Sequence, residues 1–218
     1  MPNGRRSDLI NRRDLEILEF LARYGTVRRE VLCHWSGSGR SVSYERERRL
    51  RAAGLIEILP GPDGRLLIAT SAGRRACGRT DLAAARPSPS SLGHETLLAA
   101  LGARLELAGG QILSEREIVA RERAEGRRIY SASMRHGRFH RADLVSLGGG
   151  EAVAIEVELT VKAAPRLAAI LRAWRFAVAE GRLAHVTYHC GGRVRPFVEK
   201  AIARTATSPM ISAIDLET

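Results

Sequence analysis

The sequence predicts two domains of mixed structure, an α+β domain followed by an α/β one. Three observations carry this. Three helix-period segments and a two-stranded hairpin occupy residues 12–78. RTDLAAARPSPSS at 79–91 has linker composition. Beyond it, EAVAIEVELTVK at 151–162 alternates strictly with period two, among other strands and helices. The domains are accordingly placed at 1–80 and 92–218, with 81–91 between them.

The 218 residues carry a net charge of +11 and a pI of about 10.8. Nearly all the positive charge is arginine; the only lysines are Lys162 and Lys200. An excess of this size favours phosphate backbones as partners. No apolar run approaches the roughly 18 residues of a membrane span, and MPNGRRSDLINRRD has no apolar leader core. The expected location is the cytoplasm, with no membrane partner. Cys33, Cys77 and Cys190 are far apart and form no CxxC, so buried free thiols are expected rather than a disulfide or zinc site.

The first helix, 11–24, repeats Leu15, Ile17, Leu18, Leu21 and Ala22, with Asn11 as N-cap and Gly25 as its stop. Thr26 is expected to cap a second helix at 28–35, and SGSG at 36–39 makes a turn. The third helix, 41–53, has Val42, Leu50 and Ala53 as its core side and ends at Gly54. Residues 55–59 and 65–69 form a hairpin around Pro60-Gly61-Pro62-Asp63-Gly64. A short helix follows from Thr70 to Cys77.

Three helices and a two-stranded wing are the order of a winged helix-turn-helix, with the third helix as the recognition helix. Its DNA-binding candidates are Arg40, Ser41, Ser43, Tyr44, Arg46, Arg48, Arg49 and Arg51, with Arg65 in the wing. The competing reading makes these arginines partners of Glu45 and Glu47 on a solvated face. The RRLRAAGLIE junction and the T-x-x-G entry at Thr70 resemble winged-helix regulators over about Arg12–Gly78.

In the second domain, Leu92–Ala108 reads as a helix with Leu97, Leu98, Leu101, Leu105 and Ala108 on its apolar side. A short strand is expected at 111–118 and a polar loop or helix end at 121–128. Arg141–Leu147 is a strand with Asp143 near its start, joined through Gly148-Gly149-Gly150 to the strand at 151–162. A helix at 165–180, a strand at 183–190, a helix at 194–206 and a last strand at 211–218 complete the order. On the 151–162 strand, Val153, Ile155, Val157, Leu159 and Val161 face a core, and Glu156, Glu158, Thr160 and Lys162 share the other face. Two carboxylates about 7 Å apart on one strand face call for a cation between them. With Asp143 on the neighbouring strand they suit a divalent metal. The alternative is a plain solvent face on an amphipathic strand.

The element order, Asp143 in RADLV and Glu156-Val157-Glu158 resemble the core of the PD-(D/E)XK nuclease superfamily. The resemblance implies that Asp143 and Glu156 hold Mg²⁺ or Mn²⁺. Glu95 of the Leu92–Ala108 helix joins them, and Glu158 or Lys162 assists the attacking water. Ala142 stands where Pro is common and Glu158 where Lys is usual; some restriction endonucleases carry Glu there, and Lys162 can stand in. His94, His140 and Arg141 are candidate phosphate contacts. Across the whole chain, the HE pair at 94–95, RAD at 141–143 and EVELT at 156–160 resemble the replication-relaxation family of plasmid and mobile-element proteins. This implies DNA processing on mobile elements without naming a reaction. Taken with the winged-helix and nuclease resemblances, the expected partner is double-stranded DNA, with a homodimer as one option, and the expected reaction is Mg²⁺-dependent cleavage or nicking. The alternative is a non-catalytic DNA-binding regulator or replication or relaxosome accessory protein with a degenerate nuclease fold.

Overall fold

The computed structural model describes residues 10–62 and 64–216; the expected turn residue Asp63 and the last two residues of the expected tail strand lie outside them. The protein is mixed α and β and divides into two compact units, 1–107 and 108–218. The division falls after the Leu92–Leu107 helix, not in the Pro/Ser stretch before it.

In the first unit, α1 (Arg12–Tyr24) is set by a capping box. Asn11 Oδ1 accepts from the Asp14 amide and Asp14 Oδ2 from the Asn11 amide, both at 3.0 Å. Gly25, at φ +80°, ends the helix. A short strand, β1 (Val27–Arg28), separates it from α2 (Arg29–Ser36), so Arg28 rather than Thr26 precedes that helix. Next come α3 (Arg40–Ala52), β2 (Ile56–Gly61) and β3 (Gly64–Ala69), in an antiparallel sheet of order β1-β3-β2. Thr70 caps α4 (Ser71–Ala76), its hydroxyl accepting from the Gly73 amide at 3.0 Å. A Cβ at Gly73 would stand 2.1 Å from the Leu55 carbonyl oxygen, so α4 lies directly on the backbone entering β2.

α5 (Leu92–Leu107) belongs to this unit for specific reasons. Glu106 accepts from Tyr24 Oη at 2.7 Å and from Trp35 Nε1 at 2.9 Å, and pairs with Arg23 at 2.8 Å. Thr26 donates to Glu95 at 2.7 Å. Gly102 lets the Tyr24 ring cross the helix where a Cβ would stand 2.3 Å from it. The inner face is Leu98, Ala99, Leu101 and Ala103, whereas Leu97 and Leu105 are half-buried and Ala108 is exposed. Leu82, in the expected linker, is buried. The stretch 81–91, expected as a linker, thus buries one apolar side chain.

The second unit has a five-stranded sheet of order β10-β9-β8-β7-β4. Its strands are β4 (Gln111–Ser114), β7 (Leu144–Gly148), β8 (Glu151–Glu158), β9 (His185–Cys190) and β10 (Ile211–Asp215). β4, β7 and β8 pair antiparallel, while β8, β9 and β10 run parallel. The parallel connections are α7 (Ala164–Ala179) and α8 (Arg195–Thr205), as a parallel pair requires a crossover. The polar stretch after β4 is a full helix, α6 (Glu115–Glu125), started by a capping box between Ser114 and Glu117. A two-stranded ribbon, β5 (Ser131–Ser133) with β6 (Phe139–Arg141), precedes the sheet strand β7. The expected strand at 141–147 is thus broken at Ala142-Asp143.

β8 corrects the sequence reading most. It ends at Glu158, leaving Leu159 and Val161 exposed rather than in the core. As the third of five strands it is buried on both faces, and Glu156 and Glu158 are only 3% and 4% exposed. Their neighbour Ala154 and their cross-strand partners Tyr188 and Cys190 belong to the core built by Leu167, Leu171 and Trp174 of α7. The plain solvent-face reading is overturned.

Candidate functional site

The site lies where β7 and β8 part. The ladder between them closes at Leu144 and Ile155. One residue earlier, the Asp143 side chain takes over from the main chain, its Oδ2 accepting from the Val157 amide at 2.7 Å. Glu156 follows Ile155 on β8, and its Oε2 lies 3.0 Å from His140 Nε2. His140 stands on β6 opposite Ala132, its ring edge-on to Trp174 at 5.7 Å between centroids. Tyr188, paired in register with Glu156 on β9, completes the wall. Among the described residues, buried polar atoms without a hydrogen-bond partner here include Glu156 Oε1, Tyr188 Oη and Trp174 Nε1. An orphaned buried carboxylate oxygen costs on the order of 1–3 kcal/mol or more, so its presence needs a reason.

Glu158 points the same way as Glu156 and is ion-paired with Lys162. Lys162 is not on the strand, as its spacing suggested. It lies in the segment beyond β8 and returns its ammonium to the strand end. Asp143, Glu156, Glu158 and Lys162 are therefore gathered at one end of the sheet. Among the described residues, however, no group of three or more His, Cys, Asp or Glu side chains is arranged to hold a metal ion.

Electrostatics couples these groups. Burial pushes the Glu156 carboxyl up to about 7, with the Asp143 charge adding to it and the His140 and Lys162 charges opposing it. For His140, burial works against the charged ring, but the Glu156 carboxylate, its hydrogen bond and Asp143 outweigh it and the pKa is raised. Burial, then Glu156, Glu158 and Asp143, hold the Tyr188 phenol far above its ordinary range. The Cys190 thiol beside Glu158 is raised to about 12, chiefly by burial, and is no nucleophile at neutral pH. A carboxyl and an imidazole in contact, one titrating near neutrality, can exchange a proton there.

Glu95 does not stand free as a ligand. Its two oxygens accept from Ser91 at 2.6 Å and Thr26 at 2.7 Å within the first unit. The residues the sequence reading undervalued are His140 and Tyr188. Tyr188 was readable, since Val186, Tyr188 and Cys190 share the inward phase of β9. His140 was harder, because the ribbon bringing it to Glu156 has strands of only three residues.

The nine DNA-binding candidates separate by direction. Arg40, Ser41, Tyr44, Arg48 and Arg51 are exposed, and 40, 44, 48 and 51 follow one stripe of α3. Arg65 is exposed on β3. Arg46 and Arg49 turn inward instead: Arg46 donates to Asp14 Oδ1 at 2.9 Å, and Arg49 to both Asp14 oxygens at 2.7 and 2.6 Å. Asp14 is fully buried, so two guanidiniums meet one carboxylate inside the unit. Ser43 is buried as well, while Val42, expected in the core, is 51% exposed. Glu47 pairs with buried Arg29, whose guanidinium also lies 4.1 Å over the Tyr44 ring. Among the described residues, Arg48–Glu45 is the one solvated pair of those considered that forms.

No family model matches the chain, and no curated protein is similar to it. Among the described residues, no helix is long and apolar enough to cross a membrane.

Proposed function

We propose that this is a DNA-binding protein of a plasmid or mobile element, in which a winged helix selects duplex DNA and a restriction-endonuclease-like unit hydrolyses a phosphodiester. The gathering of Asp143, Glu156, Glu158 and Lys162 at the parting of β7 and β8 carries this reading. The exposed stripe Arg40, Tyr44, Arg48 and Arg51, on a chain of net charge +11, supports the DNA half.

The donor chemistry fits a hard divalent cation such as Mg²⁺ or Mn²⁺. Glu156 keeps one buried oxygen without a partner beside a second carboxylate, and Mg²⁺ often takes only one or two protein carboxylates. Asp143 and Glu156 would hold it. When bound, the ion supplies charge neutralisation at the phosphate and activation of water. Glu158 anchors the Lys162 ammonium at the strand end, where it can orient a water or stabilise negative charge on phosphate oxygens. His140 fixes one oxygen of Glu156 and leaves the other for the site.

A supercoiled-plasmid assay with Mg²⁺ or Mn²⁺ tests this. Wild type should nick or linearise the plasmid, and Asp143→Ala and Glu156→Gln should each reduce the rate by about a hundredfold or more. Plasmid left intact under both metals, with DNA binding retained, would sink the enzymatic reading. One observation favours a second reading, a non-catalytic replication or relaxosome accessory protein. The protein's own cations already close on these carboxylates, Lys162 on Glu158 and His140 on Glu156.

A further inference from the structure

A second basic surface lies on the second unit. A groove of 360 Å³ runs between the turn of the β5–β6 ribbon and α7. Its ribbon wall carries Arg135, His136 and Arg138; its helix wall carries Arg172 and Phe176. All five side chains are exposed, and among the described residues Phe176, at 60%, is the most exposed of the large apolar side chains. Among the described residues Arg135, Arg138 and Arg172 have no carboxylate partner, unlike Arg48, Arg128, Arg182 and Arg195 elsewhere. The turn is itself unusual. His136 sits at φ +60°, ψ +34°, a left-handed conformation that non-glycine residues seldom adopt. It is followed by Gly137 at φ +68°, which shapes the ribbon tip facing α7.

The groove thus sets unpaired guanidiniums around an exposed phenyl ring, with the Arg175 guanidinium 5.9 Å over that ring. Guanidiniums bind phosphates, and an aromatic face accepts any base. Bases within a duplex are already stacked and cannot lie on Phe176; unpaired ones can. Arg172 and Phe176 are four residues apart on α7, so they face the groove one above the other. We infer that this groove binds a single-stranded segment of nucleic acid, with phosphates on Arg135, Arg138 and Arg172 and a base stacked on Phe176. The elements that form it also meet at His140 and Trp174, beside Glu156. The inference rests on the proposed function for its choice of DNA. It adds that the site is served by an unpaired strand, while α3 holds the duplex.

The test is fluorescence anisotropy of the full chain in EDTA, with a labelled oligothymidylate and, separately, a labelled duplex. The double variant Arg135→Ala/Arg138→Ala, and Arg172→Ala alone, should each weaken oligothymidylate binding about tenfold or more and flatten its salt dependence. Phe176→Ala should cost about tenfold. Phe176→Trp should restore binding and show its new fluorescence quenched by the bases. All these side chains are exposed, and thermal melting checks that each variant folds. Duplex affinity should be unmoved by them and lowered instead by Arg48→Ala/Arg51→Ala. Oligothymidylate binding that is unchanged in every groove variant would overturn the inference. So would single-strand and duplex affinity lost in equal proportion, the mark of an unspecialised basic surface. Failure of the nicking assay with groove binding intact removes the enzymatic reading alone; nicking with an inert groove removes this one alone.

Discussion

Glu156 is a buried carboxyl of the second unit, and its titration is measurable. Its ordinary value is 4.5 and burial raises it to about 7. Between those values the folded protein holds a proton that the unfolded chain has released, so stability must fall as pH rises through the window. His140, also raised, acts in the same direction: its contribution is present below its ordinary 6.5 and fades as pH climbs through the higher folded value. A shift of the Glu156 size corresponds to roughly 3 kcal/mol when complete. Urea melts of wild type across this range should show that decline, and Glu156→Gln should flatten most of it. A wild-type profile as flat as the variant's would refute the coupling. On the proposed metal-dependent reading, Mg²⁺ should restore stability at the alkaline end in wild type alone, because a bound cation favours the ionised carboxylate.

At the scale of elements, the clamp of Asp14 by Arg46 and Arg49 separates arginines that look alike in sequence. Removing one partner of a buried ion pair costs about 3–5 kcal/mol, so Asp14→Ala should unfold at much lower denaturant. Arg46→Ala and Arg49→Ala, each leaving one guanidinium in place, should lose part of that. Arg48→Ala and Arg51→Ala should barely move stability. They should weaken duplex binding, with the salt slope reduced by about 0.9 for each phosphate no longer neutralised. The opposite assignment, stability loss at 48 and 51, would show that the outward stripe of α3 is misread. Gly102→Ala offers a second check on element packing. Its Cβ would meet the Tyr24 ring at 2.3 Å, so α5 must shift or Tyr24 must leave Glu106. A loss of about 1–3 kcal/mol is expected, visible as a lower melting temperature.

Over the whole molecule, the mixed α and β plan was legible in periodicity and turn residues. Asn11, Gly25, Gly54 and Thr70 punctuate the chain through their own local conformations, and local signals survive without tertiary knowledge. The end of the first unit was not legible. Pro87 and Pro89 mark a loop, but nothing local in α5 says that Glu106 will meet Tyr24 and Trp35, more than seventy residues earlier. The same limit explains β8. Alternation in EAVAIEVELTVK identifies a strand, yet the code for a central strand with buried carboxylates matches that of an edge strand with a wet face. Only the sheet order distinguishes them. Arg46 and Arg49 were misdirected for a related reason, since their partner Asp14 is over thirty residues away and already engaged in a local cap. Asp143, Glu156, Glu158 and Lys162 were legible as a set because three of them fall within seven residues and the fourth lies one hairpin away.

The bond from the Val157 amide to Asp143 has a spectroscopic use. That proton is held at 2.7 Å by a carboxylate that replaces the next rung of the β7–β8 ladder. Its nuclear magnetic resonance frequency must therefore follow the charge on Asp143 directly. One backbone resonance becomes a built-in voltmeter for this end of the sheet, reading any change of charge beside it without an attached label.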